Sequence, residues 1–340
     1  MIELEHDQLV FRFPQVHPDA VLRISFQRTL RIPDDGKDYP LPPGLGRFPV
    51  RAVDDHANAV PPRWRAHGGV MLPLYQSEAL WIHFESQYVP LHSTSYPFAV
   101  KVAAGKINAV TGQPWANDLN ERPQDYLVVP TQPWIDGYAV DKGVIRQFVA
   151  MPLGSGYSAE EQITGTAEHG GLQLMVFPMR RDRFERRFPC RPAKTKAFHE
   201  LCSPCAAGVA MADMALAPGG RMKQEIYDDP FDFEDWDRTV FSRCFVHLAN
   251  SLIWRAITGE APPTTPLTAR QYTRAGLPWF DYYSENAALE GSEALAELKS
   301  ILQMAAAKGD VPLPENESVE PETIKVLGDK RPGRVRECSW

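Results

Sequence analysis

Within CRPAKTKAFHELCSPC, Cys190, His199, Cys202 and Cys205 form the most specific chemical pattern in the chain. Zinc takes four thiolate or imidazole donors in a tetrahedron, and a Cys-x2-Cys pair with a histidine three residues upstream supplies three of them. The upstream half is a lone Cys190, not a second knuckle, so the competing reading is of small, semi-buried thiols beside a boundary loop. From Arg180 to Lys196 the chain carries eight basic residues against two acids, which suits phosphate contacts. A zinc-pinned arm over 180–196 facing nucleic acid or another polyanion is one expectation, with structural zinc the one cofactor and no cofactor the alternative.

Other patterns fall short of a mechanism. His83-Phe84-Glu85 matches the first part of a zinc-deaminase signature, but neither Pro189-Cys190 nor Pro204-Cys205 continues into Cys-x-x-Cys. In IYDDPFDFEDWD the acids Asp228, Asp229, Asp232, Glu234, Asp235 and Asp237 lack the glycine and terminal glutamate of a calcium loop. A solvated acidic loop with aromatic anchors is expected there, within reach of the basic stretch. No G-x-S-x-G elbow occurs.

Gly154, Gly156 and Ala159 in PLGSGYSAEEQITG follow an apolar run in a G-x-G-x-x-A arrangement. A dinucleotide loop needs a long helix after the glycines, with its N-terminus on the pyrophosphate and a return crossover. Here Ser158 and Glu161 form a capping box, yet Gly165 must end the helix within two turns. The stretch therefore reads as a turn between antiparallel strands. Arg28 differs in kind, because it interrupts the apolar face of an otherwise alternating strand. It marks a bulge, a partner for a buried acid, or an anion-binding pocket.

These residues must be carried by strands. Leu22, Ile24, Phe26, Leu30 and Ile32 alternate with polar neighbours at period two. Further strands are read at 79–85, 96–110, 143–153 and 171–178, separated by turns with aromatics such as QPWIDG. Val110-Thr111-Gly112, Ile163-Thr164-Gly165 and Ile257-Thr258-Gly259 share turn chemistry without a fixed repeat. MALAPGGRMKQEIY suggests a hairpin at Pro218-Gly219-Gly220, while RCFVHLANSLIWRAITG fits either strand or helix. Thr268 and Gln271 cap a short helix ending at Gly276, and Ser292 opens an amphipathic one over 292–308.

A chain of 340 residues with 31 prolines and a net charge of −7 favours many turns and short strands, with no overall attraction to polyanions. The expected fold is mainly β, an antiparallel sandwich or barrel-like domain over 1–190. An α+β portion over 191–310 contains the helix at 292–308, and 311–340 is an extended or partly disordered tail. Five cysteines and no signal-like or membrane-length apolar segment predict a cytoplasmic protein with no membrane association. In the absence of a complete catalytic set, the leading expectation is a non-catalytic binding or assembly module acting on a protein partner or as a homo-oligomer. The alternatives are the zinc-stabilised arm and an enzyme of unrecognised type at the mouth of the β domain near Arg28.

Overall fold

The computed structural model describes residues 1–190, 213–284 and 286–328. The alternating segment forms a strand, Val21–Thr29, in which Leu22, Ile24 and Phe26 are wholly buried. Strands Ile2–Glu5, Gln8–Arg12, Val21–Thr29 and Ala79–Ser86 run antiparallel in succession, with Ile2 opposite Phe11, Gln8 opposite Ser25 and Leu22 opposite Ser86. Val144–Pro152 joins them where Val149 meets Ala79, and pairs along its length with Asp213–Lys223. The network continues through Ser242–Asn250, Leu172–Pro178, Phe98–Ala104 and Leu127–Val129. Parallel contacts are made by Val70–Leu74 along Ser242–Asn250 and by Asp38–Tyr39 along Asp213–Lys223.

One core holds Leu22, Ile24 and Phe26 from the first strands together with Phe98, Val100, Leu174 and Val176 from the last. The sheet thus faces itself across a shared apolar layer, as a sandwich does. It is predominantly antiparallel and does not close into a barrel. Strands from both sides of residue 190 interleave in this sheet, so it runs through the boundary expected there.

The segment around Pro218 corrects the hairpin expectation. Asp213–Lys223 is one continuous strand whose register against Val144–Pro152 shifts between Arg146 and Phe148. The glycines serve close approach, not reversal: a Cβ on Gly220 would lie 2.1 Å from the Pro33 carbonyl oxygen. The ambiguous RCFVHLANSLIWRAITG is both elements in turn, a strand Ser242–Asn250 and a helix Ser251–Thr258. Asn250 makes the switch by accepting the Leu252 N–H with its side chain. Thr164-Gly165 and Thr258-Gly259 each end a helix with the glycine left-handed.

The helix expected over 292–308 is broken in two, Glu293–Ala296 and Ile301–Lys308. Ser300 and Gln303 form a capping box that restarts the helix, which places Ser300 in extended geometry where a continuous helix needs αR. Of the face expected at Leu295, Leu298, Leu302 and Ala305, Leu302 is only half-buried and Ile301 takes its place in the core beside the other three. Within the expected tail, Ile324–Gly328 pairs in parallel with Trp279–Tyr283.

Candidate functional site

Gln132, Pro133 and Trp134 form one wall of a cleft of about 380 Å3, and the chain continues through Ile135–Gly137 behind it. Ile135 is buried in the core opposite Ile82, which turns Trp134 to the other face of the strand, opposite His83. There the Trp134 ring meets Tyr282 edge-on at 4.8 Å and Trp81 at 6.5 Å. Asp136 follows on the Trp134 side, and Gly137 lets the chain pass the Arg146 carbonyl, 1.9 Å from where its Cβ would stand.

Two buried amides bind this wall to the opposite one. Gln132 Nε2 donates to the Trp134 carbonyl at 2.9 Å and to the Glu225 carbonyl at 3.3 Å, while its Oε1 accepts the Tyr227 N–H at 3.0 Å. Gln224 Oε1 accepts the Asp136 N–H and Gln224 Nε2 donates to Asp136 Oδ2. Asp136 is shut off from solvent, and that burial pushes its carboxyl up to about 7 against the pull of hydrogen bonds from Trp134 and Gln224.

Carboxylates rim the opening. Asp38 is paired with Arg221 at 2.6 Å, and Asp281 lies 4.0 Å from Lys223. Glu225 is exposed and has no cationic side chain within 4.0 Å among the described residues. Aromatic faces beside a carboxylate that has no direct ion-pair partner attract a cation carrying N–H donors, by ring quadrupole and by charge. A second hollow of about 330 Å3 contains Asp229, but Tyr126 Oη and Trp236 Nε1 each donate to it at 2.7 Å and the Phe231 N–H at 2.8 Å. Its carboxylate is committed to holding the loop together.

Arg28 is buried and paired with a buried acid. Its Nε donates to Glu78 Oε1 at 2.7 Å and its Nη2 to the Thr264 carbonyl at 2.6 Å. Glu78 Oε2 accepts the Tyr75 N–H, and burial pushes the Glu78 carboxyl up while Arg28 opposes that shift. Of the zinc residues, His199, Cys202 and Cys205 lie outside the described residues, and Cys190 is exposed with Sγ 3.6 Å from His92 Nε2. Among the described residues no group of three or more His, Cys, Asp or Glu is arranged to hold a metal ion.

Of the basic stretch 180–196, Arg191, Lys194 and Lys196 lie outside the described residues; the described part contains a helix, Arg181–Arg187, and its guanidiniums have acidic neighbours. Arg180 and Arg186 lie beside Asp182, Arg181 beside Glu185, and Arg183 and Arg187 beside Asp235. The acidic loop is less solvated than expected, for Asp235 is wholly buried against this helix. In the glycine loop, the Gly156 N–H donates to Glu161 Oε1 at 2.6 Å and the Ser158 N–H to Glu161 Oε2 at 3.1 Å. The nest that resembles a phosphate cradle therefore holds the protein's own carboxylate.

Sequence reasoning located QPWIDG as a turn with an aromatic and missed Gln132, Asp136 and Gln224 as a set. The one available signal was an aspartate in an otherwise apolar Trp-Ile-Asp-Gly run. Comparison of the chain with protein-family models, curated proteins and solved structures finds no match in any of the three. What the fold and cleft define is a mostly antiparallel β protein carrying an aromatic, acid-rimmed recess. No described helix is long and apolar enough to cross a membrane.

Proposed function

We propose that the protein is a binding module that takes a lysine or arginine side chain of a protein partner into the cleft at Trp134. The observation that carries this reading is the exposed Glu225 carboxylate, which forms no salt bridge within 4.0 Å among the described residues and has Lys142 and Lys223 only in its wider surroundings, beside the rings of Trp134 and Tyr282. A macromolecular partner is favoured over a free cation by the ribbon next to the cleft. Asp281 and Tyr282, which line the cleft, are register partners of Val326 and Leu327. Val326 and Leu327 are 54% and 44% exposed, and their strand pairs on one side only among the described residues. Such an edge accepts an extended segment through its backbone while the cleft reads a side chain.

The test is calorimetric titration with a hexa-arginine peptide, using hexa-glutamate as control. Binding of hexa-arginine alone is expected, weakened on the order of tenfold by Trp134→Ala or by Glu225→Gln. Unchanged affinity in both variants would discard the cleft as the binding site. A second copy of the chain is one partner that fits, and sedimentation of the wild type against Trp134→Ala distinguishes it from a foreign one.

A further inference from the structure

At the far end of the helix Arg181–Arg187, two side chains that the cleft does not involve are brought together. His92 closes the 3-10 turn Pro90–His92, and Ser93 leaves that turn in the left-handed region at φ 53°. The imidazole packs against Phe184 at 4.8 Å between ring centroids and stands edge-on to His17 at 6.2 Å. Its Nδ1 contacts the carbonyl oxygen of Phe188, and its Nε2 lies 3.6 Å from Cys190 Sγ.

The two ring nitrogens therefore have different roles. A carbonyl oxygen only accepts, so the proton of the neutral ring sits on Nδ1 and the Nε2 lone pair faces the thiol. A thiol beside an imidazole whose second nitrogen is held by an acceptor is the arrangement that activates cysteine nucleophiles. Cys190 is exposed, so an electrophile can reach it. Cys244 shows the contrast within the same chain: it is buried, its Sγ–H donates to the Phe245 carbonyl, and burial pushes its thiol up to about 12.

We propose that Cys190 and His92 act as a thiol–imidazole pair that exchanges with small disulfides, an activity independent of the cleft. His92 Nε2 takes the proton from Cys190 Sγ as the sulfur attacks one sulfur of a low-molecular-weight disulfide. The S–S bond of that disulfide breaks, a mixed disulfide forms on Cys190, and the departing thiolate takes the proton from His92. Two sulfurs are linked before the step and two after it, so no further oxidant is consumed. Exchange also needs no oxyanion donors, only an accessible sulfur and a proton acceptor.

The experiment is reaction of the reduced full chain with 5,5′-dithiobis(2-nitrobenzoic acid) at pH 7. Mass spectrometry of the peptides follows Cys190 separately from Cys202, Cys205, Cys244 and Cys338. Cys190 is expected to react on the order of tenfold faster than glutathione under the same conditions, and His92→Gln to lower that rate by a similar factor. Cys190→Ser should abolish modification of its peptide without altering the thermal melt. A wild-type Cys190 no faster than glutathione overturns the proposal whether or not the His92 variant folds. So does a folded His92→Gln protein whose Cys190 reacts at the wild-type rate.

Discussion

Asp136 and Gln224 exchange two hydrogen bonds, N–H to Oε1 and Nε2–H to Oδ2, each 2.9 Å long. The pair joins the Trp134 wall of the cleft to the strand end that carries Glu225, and does so where water is excluded. The architecture of the recess rests on a carboxyl group that the interior prefers uncharged.

The stability of the protein should therefore fall as pH rises from about 4 to about 7 and level off above that. Burial raises Asp136 from 3.8 to about 7, so the native state keeps a proton that the unfolded chain releases. Its contribution is complete below the unfolded value and lost as pH climbs through the folded one. The swing is on the order of 4 kcal/mol at one pKa unit per ~1.4 kcal/mol. Asp136→Asn retains an acceptor for Gln224 and cannot titrate, so its urea midpoint should change less between about pH 4 and 7.5. Parallel pH slopes for the two proteins would refute the assignment.

Salt separates the two parts of the proposed recognition. Raising ionic strength from 50 to 500 mM shortens screening from more than ~10 Å to a few Å, so hexa-arginine affinity should drop in the wild type. Glu225→Gln should remove most of that dependence. Trp134→Ala should instead lower affinity by a similar factor at every salt concentration, because the ring contributes through contact.

Breaking the Arg28–Glu78 pair should be far more harmful than replacing it. Either Arg28→Met or Glu78→Leu leaves an unpaired charge among groups that are 7% and 1% exposed, a loss of about 3–5 kcal/mol. The double variant removes both charges and should recover most of that stability in chemical denaturation. A double variant as unstable as the sum of the singles would mean that the Thr264 contact, not the charge pair, dominates.

Gly220→Ala tests the passage of the strand Asp213–Lys223 beside Pro33. With backbone 2.1 Å from the new methyl carbon, one strand must move, and a loss of about 2 kcal/mol or more is expected. Gly44→Ala, whose nearest neighbour would be the Trp81 ring at 3.5 Å, is the matched control and should be mild. Equal melting temperatures for the two would show that the approach is looser than the structure gives.

Much of the sheet was readable because burial of one strand face imposes a period of two. The strands at 21–29, 79–86, 144–152 and 172–178 appear close to where alternation and apolar runs place them. Caps were equally legible, since Ser158–Glu161 and Thr268–Gln271 are local chemistry. Pro218-Gly219-Gly220 misled because the same residues that permit reversal also permit two backbones to approach. The cleft was opaque for a different reason. Gln132 and Gln224 are ninety-two positions apart, and their buried amides follow no periodicity. The interleaving of strands from both sides of residue 190 has no local signature either.

Glu161 gives the glycine loop a tethered competitor. A ligand fixed on the same short loop acts at an effective concentration of order millimolar or higher, and it is present whenever the loop is folded. Free phosphate would have to displace a carboxylate that never diffuses away. The backbone donors of Gly156 and Ser158 are thus occupied from within the chain, and the loop's glycines serve its own helix cap rather than a bound anion.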